Sequence, residues 1–253
     1  MGTVRFDFSD ENFVVTGASS GMGRQIAEEL AASGAMVLAI ARREEKLREL
    51  AEGHPGRIIP KALDVCDTDG MREGVSSFVA EHGRLHGAVH AAGIFAGTPL
   101  RAFDETKARK IMDVSFWSGI RLMQIVNQQR NSAEGCSSVL FASVAATIGE
   151  KSNFAYSAAK SALQAAVRSI AKEIYPRGNR INTVSPGWVH TEMTCREEES
   201  VPSPPKFVAW HLLGVGEPEN VSGMVLFLLS ERARWVTGAD FTVDGGYLLG
   251  GYN

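Results

Sequence analysis

The sequence predicts an α/β protein with a doubly wound, Rossmann-like parallel sheet of about seven strands and helices on both faces. Three observations lead there. Short apolar runs alternate with helix-length stretches along nearly the whole chain. The runs are continuously apolar rather than alternating, as strands covered on both faces must be. The stretches between them are long enough for the helical crossovers that join parallel strands.

In chain order, Asn12–Thr16 is an apolar run closed by glycines, and Met22–Ala32 reads as a helix stopped at Gly34. Ala35–Ala41 is a second run, followed by the charged helix Glu44–Glu52. Arg57–Asp64 contains Pro60, which lacks the N–H that an interior strand must donate, so this run belongs at an edge. A helix over about Asp69–His82 leads to Leu85–Ala92, and a long helix over about Glu105–Gln129 leads to Ser138–Ser143. Phe154–Ile174 is the next helix, stopped by Pro176 and Gly178, and Arg180–Ser185 is a sixth strand. No composition shift, repeat or low-complexity tract divides the 253 residues, so one catalytic domain over 1–253 is expected. One segment breaks the rhythm. Between Thr191 and Gly216 the chain is acidic at Glu197–Glu199, read as a solvated face, and proline-rich at Pro202–Pro205, which argues against a plain helix. A substrate lid insert at about 192–215 is the expectation.

Composition excludes several classes. Hydrophobic residues make up 44% and charged residues 22%, with a net charge of −3, so no basic excess points to nucleic acid or an anionic membrane. The longest apolar stretches, such as Met224–Leu229, fall far short of the roughly 20 residues that cross a bilayer. Met1–Phe8 carries no basic region followed by an apolar one, so no secretory leader is expected. Three scattered cysteines, Cys66, Cys136 and Cys195, without a C-x-x-C pair, fit free thiols in a reducing compartment and a cytoplasmic protein.

The chemistry begins at Thr16-Gly17-Ala18-Ser19-Ser20-Gly21-Met22-Gly23, which follows the first strand and opens a helix. Glycines there permit a tight turn and close approach of backbone to a pyrophosphate, which rests on the positive end of the helix. At the end of the second strand a NAD enzyme places a carboxylate for the ribose hydroxyls. This chain has Ala41-Arg42-Arg43 instead. A guanidinium fork matches a phosphate, so Arg42, with Arg43 as the second candidate, points to NADP(H).

Tyr156 and Lys160 are four residues apart on the helix over Phe154–Ile174 and therefore share a face. A phenol has a pKa near 10 and is a poor acid at neutral pH, but a neighbouring ammonium favours phenolate and lowers it. Ser143, at the end of a strand, is placed to hydrogen-bond a substrate oxygen. His82, His86 and His90 are spaced by four, but His86 and His90 flank a strand, where four residues span about 13 Å and ligands to one ion do not converge. No metal site is expected.

These motifs together resemble the short-chain dehydrogenase/reductase family over nearly the whole chain, and most closely the 3-oxoacyl-acyl-carrier-protein reductases and related small-ketone or polyol reductases. The resemblance implies hydride transfer between a nicotinamide and a carbonyl or secondary alcohol. It implies Tyr156 as general acid/base, Lys160 as the group that lowers its pKa and grips the ribose, and Ser143 as substrate polariser. It implies Asp64 and Val65 at the adenine, Ala91, Ala92 and Gly93 along the cofactor, and Pro186, Gly187, Val189 and Thr191 at the nicotinamide carboxamide. Gly216–Asn220 resembles the start of the family's penultimate helix, and Val236–Gly246 resembles its closing strand, with a homotetramer (or homodimer) implied.

Two positions depart from the pattern. His90 stands where the family has Asn before Ala-Gly, and Ser115 stands where it has the Asn of a proton relay to the lysine. Ser115 therefore takes the relay position. Trp188, Phe207, Trp210 and His211 suggest a pocket for a partly hydrophobic substrate. Two further readings stay open on the sequence: a non-catalytic NADP(H)-binding regulator, and a NAD-linked alcohol dehydrogenase of the same family.

Overall fold

The computed structural model describes residues 2, 4–198 and 210–250. Its strands are β1 (Asn12–Thr16), β2 (Met36–Ala41), β3 (Ile58–Ala62), β4 (Leu85–His90), β5 (Ser132–Phe141), β6 (Arg180–Pro186) and β7 (Asp240–Val243). They form one parallel sheet in the order β3-β2-β1-β4-β5-β6-β7. The helices are α1 (Gly21–Ala32), α2 (Glu44–Gly53), α3 (Thr68–His82), α4 (Glu105–Met112), α5 (Ser118–Val126), α6 (Ala145–Ile148), α7 (Phe154–Ile174), α8 (Glu192–Glu198) and α9 (Pro218–Leu229).

The continuous apolar runs are explained by a core on each face. Phe13 and Val15 of β1 point to a core built with Ile26 and Leu30 of α1, Leu47 of α2 and Val225 of α9. Val14, between them, points to the other core with Val75 of α3, Leu122 of α5 and Leu163 of α7. Period-two alternation is therefore present in direction but invisible in polarity. Pro60 lies in β3, the edge strand, paired with Ala39.

The long helix expected over Glu105–Gln129 is not continuous. A π-helical turn, Asp113–Trp117, separates α4 from α5. Such a turn inserts one extra residue into the helical ladder and commonly sits at functional sites. A four-residue helix, α6, follows Ser143, and α8 occupies the start of the segment expected to be irregular. Phe207 and Pro202–Pro205 lie outside the described residues.

The strand order reverses direction between β1 and β4, since β1 continues to β2 on one side and β4 to β5 on the other. In open parallel sheets a crevice forms there, beyond the carboxyl ends of the strands.

Candidate active site

Every predicted site residue except Lys160 and Ser115 lines that crevice or the chamber that continues it. The cleft has a volume of about 940 Å³ and is walled by Gly17 and Ser19–Gly23 after β1, Arg42 and Arg43 after β2, Asp64 and Val65 after β3, and Ala91–Gly93 after β4. Its far wall is Thr191, Glu192 and Met193. Met22, Phe95, Thr191 and Met193 are shared with a smaller chamber of about 100 Å³, which holds Ser143, Tyr156, Pro186, Gly187 and Val189.

The turn after β1 is built so that only glycine fits at two places. Gly17 has φ +74°, and a Cβ there would lie 2.7 Å from the Ala92 backbone nitrogen. At Gly23 a Cβ would lie 2.5 Å from the Gly17 carbonyl oxygen, so α1 seats directly on the turn. The first turn of α1 carries no acidic residue, and its N-cap, Ser20, makes no side-chain capping bond. By contrast α3 and α4 are capped by Asp67 and Asp104. The α1 amides thus present uncapped donors and the positive helix end to the cleft, which suits the anionic bridge of a dinucleotide.

The two arginines differ. Arg43 donates from Nε and Nη2 to Ser19 Oγ at 3.2 and 3.0 Å, from Nη2 to Ser20 Oγ at 2.5 Å, and pairs through Nη1 with Glu192. It ties the phosphate turn to the start of α8. Arg42 lines the same cleft with no hydrogen bond or ion pair to any described residue.

Tyr156 and Lys160 share the inner face of α7, with the Lys160 Nζ 5.6 Å from the centre of the Tyr156 ring. Phe95 packs edge-on against Tyr156 at 5.0 Å between ring centres. Lys160 is 4% exposed, donates to the Phe141 carbonyl at 2.6 Å, and burial pulls its pKa down to about 8. It lies behind the cleft rather than in its wall. A Cβ on Gly93 would sit 3.5 Å from Lys160 Nζ and 3.6 Å from Ser115 Oγ, so both polar atoms converge on that glycine. Ser115, buried in the π-helical turn, accepts the Ile94 N–H at 3.4 Å. Ser143 Oγ accepts the Ala145 N–H at 3.2 Å, which leaves its hydroxyl proton to be donated into the chamber.

His90 explains how the departure from Asn is accommodated. The imidazole is fully buried, with Nδ1 at 2.8 Å from Thr16 Oγ1 and Nε2 at 3.2 Å from Ser118 Oγ, which itself donates to the Val114 carbonyl of the π-helical turn at 2.6 Å. Burial, reinforced by the nearby Lys160 charge, drops its pKa to about 3, so it is neutral. A Cβ on Gly119 would lie 2.8 Å from His90 Cδ2, so this glycine makes the room the ring needs. His82 and His86 are used elsewhere, supporting the start of β1 through the His82 carbonyl and His86 Nδ1, both bonded to Asn12.

Residues the motifs did not single out complete the chamber. Glu150, Tyr247 and Thr194 line it along with Phe95. Tyr247 stacks on His211 at 4.6 Å, and His211 Nε2 accepts the Trp188 N–H at 2.9 Å. Tyr247 sits near the end of the described chain and Glu150 in the link before α7. Neither carries a motif that spacing alone would reveal.

A parallel sheet in this order, with a phosphate-fitted cleft at its switch point and a serine and tyrosine beyond it, defines a dinucleotide-binding oxidoreductase fold. The family is equally clear from comparison. A family model described as enoyl-(acyl carrier protein) reductase matches residues 17–248. The 3-oxoacyl-acyl-carrier-protein reductase of Thermotoga maritima is 31% identical over 242 residues, covering 93% of this chain and 97% of that protein. The L-xylulose reductase of Caenorhabditis elegans is 32% identical over 245 residues, covering 96% and 97% respectively. A glucose/ribitol dehydrogenase structure from Brucella melitensis superimposes with a TM-score of 0.90 at 28% identity, covering 96% of this chain and 99% of that one. The chain belongs to the short-chain dehydrogenase/reductase family, whose members transfer hydride between a nicotinamide cofactor and carbonyl or alcohol groups.

Proposed function

We propose that this chain is an NADP(H)-dependent oxidoreductase reducing a small carbonyl compound, or oxidising the matching secondary alcohol, as a cytoplasmic homotetramer (or homodimer). The observation that carries this reading is the continuity of one cleft. Uncompensated guanidinium charge stands at one end and a serine–tyrosine pair at the other, and the two arms share Met22, Phe95, Thr191 and Met193.

A bound nicotinamide dinucleotide supplies the hydride. The protein supplies the rest. Gly17, Ser19, Ser20, Gly21, Met22, Gly23 and the α1 amides hold the pyrophosphate, and Arg42 and Arg43 take the ribose 2′-phosphate. Asp64 and Val65 flank the adenine, and Ala91, Ala92 and Gly93 run beneath the dinucleotide. Pro186, Gly187, Val189 and Thr191 orient the carboxamide. In reduction Tyr156 donates its phenolic proton to the carbonyl oxygen, while Ser143 donates a hydrogen bond to the same oxygen and favours the charge that develops there. Lys160 stabilises the phenolate left behind and returns a proton through Ser115 and water from the Gly93 side. The Arg43–Glu192 pair ties the phosphate turn to the start of the segment 192–215 expected as a lid, of which residues 199–209 lie outside the described residues.

The relatives include reductases of acyl thioesters and of sugars, so the test uses both kinds of carbonyl. Oxidation of NADPH and NADH is followed at equal concentration against a panel holding a 3-oxoacyl thioester, simple ketones and hydroxyketones. The proposal expects turnover with NADPH in clear excess over NADH. Tight NADPH binding without oxidation of any panel member would instead support a non-catalytic binder.

A further inference from the structure

The chamber beyond Tyr156 contains a carboxylate for which the proton transfer has no use. Glu150 lies in the turn that carries the chain from α6 into α7, where Gly149 takes φ +64° and the Glu150 N–H donates to Ser157 Oγ at 3.4 Å. Ser157 follows Tyr156 on α7, so this bond ties the Glu150 backbone to the helix that carries the phenol. Its side chain lines the chamber with Ser143, Tyr156 and Tyr247. One carboxylate oxygen accepts from Asn153 Nδ2 at 3.2 Å. The other has no donor and no cation among the described residues. Burial pushes the Glu150 pKa up, and the carboxylate in turn helps burial to raise that of Tyr247, so the two groups feel each other across the chamber.

A carboxylate offers about four acceptor positions, and leaving them unfilled in a closing site is costly. An alkyl chain seated against Glu150 strips its water and returns nothing. A hydroxyl or ammonium group restores the lost hydrogen bond, and in charge-assisted form. We propose that Glu150 is a specificity residue that selects substrates carrying a hydrogen-bond donor beside the reacting carbonyl or carbinol, so that the enzyme's substrates are hydroxylated or amino compounds rather than plain acyl chains. This rests on the reductase reading and narrows its substrate class.

The test compares matched secondary alcohols with NADP⁺ and the full-length protein. 1,2-Propanediol, 1,3-butanediol and 1,4-pentanediol place a hydroxyl progressively further from the carbinol, 1-amino-2-propanol supplies an ammonium, and 2-butanol, 2-pentanol and 2-hexanol are the apolar partners. Wild type should favour at least one donor-bearing alcohol over its apolar partner by about 10–100-fold in kcat/KM, mostly in KM. Glu150→Met should erase that preference. Glu150→Gln, which keeps the shape and one acceptor, should retain most of any hydroxyl preference and lose any ammonium preference. Equal effects of both variants on all alcohols, or a wild type indifferent to the donor, would overturn the assignment. Saturation-transfer NMR on the same pairs reads selection without turnover. Donor preference in binding with no oxidation would uphold Glu150 while removing the reductase reading, and turnover without preference would do the reverse.

Discussion

Arg42→Ala is the cleanest probe of cofactor choice, because the structure separates the two arginines. Arg42 makes no hydrogen bond or ion pair to any described residue, so its truncation removes none and should move stability by no more than about 0.5 kcal/mol. Arg43 is 42% exposed at its side chain and holds Ser19, Ser20 and Glu192 at once. A charge-assisted hydrogen bond is worth about 1.5–3 kcal/mol, and solvent screening at so open a cleft edge reduces that to about 1–2 kcal/mol. At about 1.4 kcal/mol per decade, Arg42→Ala should raise the Kd for NADPH by about 5–30-fold. NADH has no 2′-phosphate and should change by less than about 2-fold. Arg43→Ala should weaken both cofactors, since it also releases the phosphate turn, with NADPH losing more. Equilibrium titration of cofactor fluorescence at two ionic strengths measures all four values, and the NADPH-specific loss should shrink at high salt. Equal loss of both cofactors in Arg42→Ala would refute the phosphate assignment, and no loss would remove Arg42 from the site.

Other substitutions probe the packing around His90, the phosphate turn and Lys160. Because the folded pKa of His90 is about 3, against 6.5 when unfolded, the unfolded chain binds the extra proton between those values. Stability should therefore be fully present above about pH 6.5 and fall by up to about 1.4 kcal/mol per unit below it, and His90→Asn should flatten that slope in urea melts. Gly119→Ala should cost about 1–3 kcal/mol by pressing on His90, and much less in a His90→Asn background, where the ring is gone. Gly17→Ala combines a positive φ with a backbone clash and should abolish cofactor binding at a visibly lower Tm. The Lys160 ammonium should lose its proton near pH 8 in the free enzyme, so kcat/KM for carbonyl reduction should decline as pH rises through that value.

Much of this molecule was legible from residue patterns, and the reasons it was legible are physical. The end of α7 at Ile174 is legible because Pro176 and Gly178 follow it and stop a helix. Pro60, in the middle of its run, marks β3 as an edge because an interior strand needs the N–H that proline lacks. The glycine turn reads through to the cleft because backbone clearance leaves few alternatives, and helical period puts Tyr156 and Lys160 on one face of α7, with Tyr156 in the chamber and Lys160 behind the cleft. The π-helical turn did not, since one extra residue in a helix needs no proline or glycine, and Asp113–Trp117 carries neither. The difference between Arg42 and Arg43 depends on how the chain leaves β2, which adjacent residues of the same type do not disclose. Glu150 and Tyr247 come to the chamber from links far apart in sequence, so only the folded chain brings them together.

The proposed chemistry turns on Tyr156 passing a proton to a carbonyl oxygen in the chamber. Its most direct test is NADPH oxidation by wild type and Tyr156→Phe on the best carbonyl of the panel, with NADPH affinity measured on the same samples. Tyr156→Phe should lose at least about 100-fold in kcat with NADPH affinity changed by less than about 3-fold. Equal kcat in the two proteins would contradict it.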